Sequence, residues 1–264
     1  MTMTAPTPPA TTHRTDVNAF VGGYPYRHVP HPDPDALLRV MDREGIAEAW
    51  VGHLPSAWYR DPSPGNAELR HLLHAHKDRL LAVPVVRPDW PRWREQVRSA
   101  ADQGVVAVRA YPSQWGFGPD DGRMIELAEA AAAAQMAVVL TVKFEDVRQR
   151  HAVDTVGDLP AAAVRQLARA GTGARLVVTA AGREFIEEVH WGLTSQERDR
   201  VFWDVSWIWG PPEDHFAHLL RTIGAERFVF GTMWPLRLAQ VARANIALLP
   251  TDVSATLADV SRWR

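Results

Sequence analysis

Between positions 145 and 151 the run Glu145-Asp146-Val147-Arg148-Gln149-Arg150-His151 gathers five ionisable side chains into seven residues. A carboxylate such as Glu145 or Asp146 beside the guanidinium of Arg148 can orient an imidazole, and imidazole is the side chain best suited to proton transfer near neutral pH, so with His151 the run has the parts of a general acid or base. The same residues also suit a solvated loop stitched by ion pairs. Arg109 and Tyr111 alternate ahead of Pro112 and therefore point to one side of an extended strand. If that side is interior, Arg109 needs a partner: Asp16, Asp204 or the carboxylate of a ligand. Tyr111 would then donate to a developing oxyanion or simply pack. Asp16, Asn18 and Phe20 alternate in the same way, with Asn18 an orienting rather than a titrating group. Asp204 and Ser206 share a face, which makes Asp204 a base or a counter-ion for Arg109 or Lys143. Lys143 serves as a charge partner or, if desolvated, as an amine nucleophile. Eleven tryptophans are a high count for 264 residues. Trp115, Trp207, Trp209 and Trp234 fall on segments that would surround these groups, as an aromatic pocket or as packing.

Positioning such groups requires a scaffold, and the hydrophobic pattern supplies one. Short apolar runs over Asp16–Val21, Glu48–His53, Leu80–Val86, Val105–Ala110, Ala137–Val142, Arg175–Thr179, Val201–Val205 and Phe228–Gly231 read as parallel strands. Segments of helical period separate them. Trp90–Gln103, Asp120–Ala134, Leu159–Ala170 and Glu213–Ile223 are predicted helices, with Gly104, Gly171 and Gly224 marking three of their ends. Asp33 before Pro34 signals another helix start. Alternating strand and helix about eight times predicts a closed (β/α)8 TIM barrel, whose chemistry belongs on the loops after the strand ends. Residues 1–14, rich in Thr, Pro and Ala, read as a disordered tail, residues 15–264 as one barrel domain, and Val253–Trp263 as an extra C-terminal helix.

Composition narrows the function. Apolar residues make up 46% and charged residues 23% of the chain, and the net charge is −2, which argues against nucleic acid as a partner. The absence of cysteine removes thiolate chemistry and fits a cytoplasmic location. No apolar run reaches the ~20 residues that span a bilayer, so no membrane role is expected.

Four ordered pieces resemble the amidohydrolase superfamily: Asp16-Val17-Asn18, Gly104-Val105-Val106-Ala107-Val108-Arg109-Ala110-Tyr111-Pro112, Asp204-Val205-Ser206-Trp207 and Phe230-Gly231-Thr232-Met233-Trp234-Pro235. The resemblance implies a distorted TIM barrel. It also shows departures. Asn18 and Phe20 stand where an Asp-x-His-x-His strand carries two histidines, and Met233 stands where the family carries a metal-binding aspartate. The fifth and sixth strands end in Thr141-Val142-Lys143 and Thr179-Ala180-Ala181, without histidine. The His71/His74 pair has ligand spacing but reads as solvated. The expectation is therefore no metal and no cofactor. Glu145 to His151 resembles a Glu-Asp-x-Arg-x-x-His segment of metal-lacking relatives. Lactonases of the superfamily open carboxylated pyrones without metal, though they keep the final aspartate as base. The expected function is a metal-independent hydrolase of a small carboxylated cyclic or aromatic metabolite. In this scheme His151, Glu145, Asp146, Asp204 and Tyr111 are catalytic, and Arg109, Asn18, Arg148, Lys143, Trp115, Trp207 and Trp234 bind substrate. The alternatives are a decarboxylase of the same superfamily and a catalytically silent barrel that binds a ligand or partner. Self-association, as a homodimer, is implied by the resemblance alone.

Overall fold

A computed structural model describes residues 14–253 and 256–263. The tail expected over residues 1–14 lies, apart from Arg14, outside the described residues. The elements run β1 (Thr15–Val21), α1 (Pro34–Glu44), β2 (Glu48–His53), α2 (Ser63–Leu73), β3 (Leu80–Ala82), α3 (Trp93–Asp102), β4 (Ala107–Ala110), α4 (Gly122–Ala133), β5 (Ala137–Thr141), α5 (Ala161–Arg169), β6 (Leu176–Thr179), α6 (Arg183–Trp191), α7 (Ser195–Arg198), β7 (Val201–Asp204), α8 (His215–Thr222), β8 (Phe228–Val229) and α9 (Ala239–Ala247).

All strand pairs are parallel, β1 to β3 in one sheet and β4 to β8 in the other. Two seams join the sheets into a ring. At the first, the Arg109 amide donates to the Pro84 carbonyl (2.8 Å) and the Val86 amide to the Arg109 carbonyl (3.1 Å). At the second, the amides of Val17, Met233 and Phe20 donate to the carbonyls of Phe230, Asn18 and Trp234 (2.9, 2.7 and 2.8 Å). The predicted barrel is the observed one.

Alternation along each strand sorts the side chains into two layers. Val17, Trp50, Val83, Ala107, Val139, Val177 and Val229 fill the lower interior. Val108, Leu140, Val178 and Trp203 face outward into the helix layer with Leu127, Val164 and Ile186. Each such aliphatic side chain, fully withdrawn from water, contributes about 1.5–3 kcal/mol. Asp33 caps α1 by accepting from the Ala36 amide (2.8 Å), and Gly104, Gly171 and Gly224 adopt the positive φ expected after their helices. The alanine run in α4 buries Ala128 and Ala131.

The sequence reading errs at the C terminus. The C-terminal helix is α9, whereas Val253–Trp263, predicted helical, holds only a 3-10 turn at Val260–Trp263 among its described residues. That turn plugs the lower end of the barrel. Val260 joins the interior layer, and the Trp263 ring meets Trp50 (6.1 Å) and Phe202 (4.6 Å). The third strand is shorter than predicted, ending before Pro84, which has no amide to donate to a ladder.

Candidate active site

Pairing between β1 and β2 slips between Asp16 and Ala19. This bulge gives two consecutive residues access to the barrel axis: Val17 enters the apolar layer, and Asn18 reaches the polar groups above it. The expectation that Asp16, Asn18 and Phe20 share one face is thereby corrected. Asp16 turns to the β8 loop, where it accepts from the Thr232 amide (3.0 Å), the Thr232 hydroxyl (2.5 Å) and the Asn18 amide (2.9 Å). Burial pushes its carboxyl up to about 6, outweighing the hydrogen bonds that pull it down.

Asn18 is the keystone of the floor. Its Nδ2 donates to Asp204 Oδ2 (2.8 Å) and its Oδ1 accepts from Arg109 Nη1 (3.2 Å), while Arg109 Nη2 donates to the Val17 carbonyl (3.2 Å). Asp204 Oδ1 accepts from the Ala180 amide (2.8 Å), held out by a left-handed backbone (φ 58°). Asn18, Arg109 and Asp204 are fully buried. Arg109 thus faces the axis, and an amide, rather than direct contact, couples it to Asp204. Glycines make room for both charges. A Cβ on Gly52 would lie 2.7 Å from Arg109 Nε, and one on Gly231 would lie 2.6 Å from Asp204 Oδ2. Burial pushes the Asp204 carboxyl up and pulls the Arg109 guanidinium down.

These residues do not fit a divalent ion. The Arg109 guanidinium occupies the oxygen of Asn18, Met233 offers a buried thioether after β8, and Ala180 follows β6. Among the described residues no three His, Asp or Glu side chains gather as a ligand set.

Around the rim the ionisable run after β5 divides into separate pairs. Glu145, nearly buried, accepts from Arg27 Nε (2.5 Å), and Arg27 also donates to the Leu236 carbonyl (3.0 Å). Asp146 is bonded to Arg148 Nε (2.9 Å), which holds its carboxyl well below the usual range. Arg150 pairs with Asp158. His151 is exposed, its Nδ1 accepts from the Val153 amide (3.3 Å), and its ring stacks on Tyr26 (6.2 Å). The expected carboxylate–imidazole pairing is therefore not formed, because each acid near His151 has an arginine closer to hand.

The tryptophans do not form one pocket. Trp115 stacks edge-on to Tyr111 (6.2 Å) and Phe117 (5.6 Å), within an aromatic group that also holds Phe144, Trp58 and Tyr24. Trp209 is exposed, and Trp234 anchors the β8 loop through its amide, which donates to Thr232 Oγ1 (3.1 Å). Trp207 instead carries two cations over its ring, Lys143 at 5.2 Å and Arg237 at 4.2 Å from the centroid. Lys143 has Asp158 at 3.8 Å. Arg237 has no ion pair among the described residues, and its buried Nε has no hydrogen-bond partner. Burial pulls its guanidinium down, while the charges of Asp204 and Asp146 pull it up, which places it between floor and rim. The sequence reading missed this residue. Its only signal was an arginine two positions after Pro235. The Tyr24 hydroxyl and the Trp115 indole nitrogen are also buried at this end without partners, while the Tyr111 hydroxyl, the Ser206 hydroxyl and the Trp58 indole lie beside Arg109, Asp204 and Tyr26 without a well-aligned hydrogen bond. Such a concentration of unsatisfied groups is unusual for a packed interior.

A Ser–His–Glu chain also lies after β2. His53 Nδ1 is 2.8 Å from Ser56 Oγ, and His53 Nε2 is 3.5 Å from Glu68. The order of groups is that of an acyl-transfer triad, with the two ring nitrogens exchanged, the serine on Nδ1 and the acid towards Nε2. The α2 backbone covers it, however: a Cβ on Gly65 would lie 1.9 Å from Ser56 Oγ, so that hydroxyl has no approach for a carbonyl carbon.

No family model and no curated protein matches the sequence. Solved structures do match over nearly the whole chain. A 5-carboxyvanillate decarboxylase, LigW, from Sphingomonas paucimobilis is similar at 14% identity and TM-score 0.68, over 95% of this chain and 97% of its own. A 2,6-dihydroxybenzoate decarboxylase complexed with 2,6-dihydroxybenzoate is similar at 13% identity and TM-score 0.66, with 95% of each chain covered. A probable 2-pyrone-4,6-dicarboxylic acid hydrolase from Acinetobacter baumannii, with citric acid bound, is similar at 12% identity and TM-score 0.58, over 90% of this chain and 91% of its own. What this chain shares with them is the barrel fold.

Proposed function

We propose that this amidohydrolase-fold barrel is a metal-independent hydrolase of small cyclic or aromatic carboxylates, cleaving a lactone, ester or amide. The observation that carries the reading is Arg237, a partly buried cation without an ion-pair partner among the described residues, standing beside Lys143 on Trp207 and within the field of Asp204. A ligand carboxylate supplies the anion that Arg237 lacks, through charge-assisted hydrogen bonds. Several of the solved structures sharing this fold are named for carboxylated aromatic or cyclic substrates, which supports the substrate class.

In the reaction, Asp204 takes a proton from water as the water oxygen bonds to the substrate carbonyl carbon. The Tyr111 hydroxyl, buried beside Arg109, donates to the oxyanion that forms. When that intermediate collapses, the bond from carbon to the leaving group breaks and the proton held by Asp204 passes to the departing atom, oxygen for a lactone or ester and nitrogen for an amide. Arg109, reaching Asp204 through Asn18, balances the buried charge throughout. Glu145, Asp146, Arg148 and His151 order the β5 loop in this scheme, and Trp115 and Trp234 pack around it.

The test is a panel of carboxylated lactones, aromatic esters and amides, followed by absorbance and chromatography. Turnover is expected for at least one, with Asp204→Asn lowering kcat by about 10²-fold or more. Arg237→Met raises KM about 10- to 100-fold, as loss of a charged hydrogen bond implies. Full activity in Asp204→Asn sinks the scheme. A second reading, a silent binder, is favoured by one observation: Asn18, Arg109 and Asp204 are all fully enclosed. Thermal stabilisation by a panel compound without product formation would select it.

A further inference from the structure

The first seam of the barrel is held by two backbone bonds at its upper end, both to Arg109. Below them no backbone hydrogen bond joins β3 to β4 among the described residues, and the wall opens. Pro84, without an amide, stands where the pairing stops. Outside this gap α2 and α3 stand apart, bridged where Gln96 Nε2 donates to Ser63 Oγ (3.3 Å). Between them lies a groove of about 740 Å³. It is well away from Arg237 and Asp204, and nothing in the proposed reaction uses it.

The groove has a definite chemistry. Its floor is apolar: Leu69 and Leu73 from α2, Leu81 from β3, Trp90, and Val106 ahead of β4. Leu81 and Val106 also pack against the interior layer, so the floor reaches the barrel's inside. Its edge is cationic. Arg70 and Lys77 are exposed and form no ion pair among the described residues, His74 lies between them, and Arg92 is neutralised by Glu95 (2.6 Å). Glu95 is the one acid lining the groove, and it is already spent. An apolar trough of ligand size bounded by two uncompensated cations matches one kind of occupant.

We infer that this groove is a second binding site, for an amphipathic organic anion: a single carboxylate or sulfonate head against Arg70 and Lys77, and an apolar body along Leu69, Leu73, Leu81 and Val106. A polyanion is disfavoured because the edge offers few cations. A neutral lipid leaves them without a partner.

The experiment is titration calorimetry of the full chain with dodecanoate below its micellar concentration, alongside dodecan-1-ol. One dodecanoate per chain is expected, with the alcohol binding at least tenfold more weakly. The double variant Arg70→Glu/Lys77→Glu, both exposed positions outside the proposed catalytic machinery, should weaken dodecanoate at least tenfold. Ser99→Trp, an exposed α3 residue lining the trough, should abolish binding by filling it. Circular dichroism on each variant checks folding. Several results would overturn the site: no saturable binding to the wild type, equal affinity in Ser99→Trp, or equal affinity for the alcohol. So would sedimentation showing that dodecanoate acts only by splitting a dimer, since the groove would then be an interface between two copies. Activity on the carboxylate panel is unaffected by the double variant, so failure here is distinguishable from failure of the hydrolase reading.

Discussion

Replacing Asp16 with asparagine should stabilise the protein at alkaline pH and do nearly nothing in acid. Asp16 is fully enclosed, and its carboxyl is held near 6 against an ordinary 3.8. At 1.36 kcal/mol per pH unit, the folded state therefore prefers the protonated acid by roughly 3 kcal/mol. The sign follows from proton counting. Below 3.8 both folded and unfolded chains hold the proton, and the contribution is intact. Between 3.8 and about 6 the folded chain binds more protons than the unfolded one, so stability falls as pH rises. Above that window about 3 kcal/mol has been lost. Asparagine mimics the protonated acid in size and can still donate to Thr232 Oγ1. D16N should thus exceed the wild type by about 3 kcal/mol at pH 8, or a melting temperature roughly 6–12 °C higher for a chain this long. At pH 4 the gap should shrink below about 1 kcal/mol. Urea unfolding at several pH values reads it directly. A D16N protein less stable than wild type at pH 8, or a gap that does not change with pH, would show that the three hydrogen bonds to the carboxylate outweigh its burial. Asp204, also pushed up by burial, keeps titrating in D16N, so a residual decline with pH is expected in both proteins.

Other consequences are sharper still in single variants. Asn18→Leu removes the amide that joins Asp204 to Arg109 and leaves each buried charge with only a backbone partner, Ala180 for Asp204 and Val17 for Arg109, which should cost about 3–5 kcal/mol in denaturant unfolding. Ala180→Gly relieves a left-handed backbone while keeping the amide that serves Asp204, so a gain of about 1 kcal/mol is expected by the same assay. His151→Ala, at an exposed ring touching only Tyr26 and its own loop, should leave kcat on any substrate found for the wild type within about twofold.

The barrel was legible because its signals are local and repeated. Alternating strands, capped helices and glycines at helix ends each carry their own physics, and all pointed to one architecture. Boundaries failed where a tertiary event intervened: Pro84 cut β3 short, and the C-terminal segment became a turn because Val260 and Trp263 had a barrel end to fill. For the site, alternation put Arg109 and Tyr111 on one side of β4 but left open which side, and the structure turns Arg109 to the axis; the departures at Asn18 and Met233 were visible by residue type. The bulge after Asp16 was not visible, since a one-residue slip leaves composition and period unchanged. Pairing among charges was illegible for a different reason. Five ionisable residues of mixed sign can pair in many ways, and only the fold brings Arg27 to Glu145 across a separation of 118 positions. Arg237 was overlooked because what sets it apart is the lack of an ion-pair partner among the described residues, and sequence does not show vacancies among charges.

The bolt between Asp16 and Thr232 decides which parts of the mouth can move. With the Met233 amide on the Asn18 carbonyl and the Trp234 carbonyl on the Phe20 amide, the segment after β8 is fastened to β1 at every step, so it serves as a fixed jamb. Beyond Val142, whose amide donates to the Thr179 carbonyl (2.9 Å), the loops after β5 and β7 make no such backbone bond to a neighbouring strand among the described residues, and they carry Val147, Val153 and Trp209 out in water. In the proposed reaction, entry to Asp204 would therefore fall to those two loops. Arg237, rooted on the fixed side, would meet an incoming carboxylate before anything else has to open.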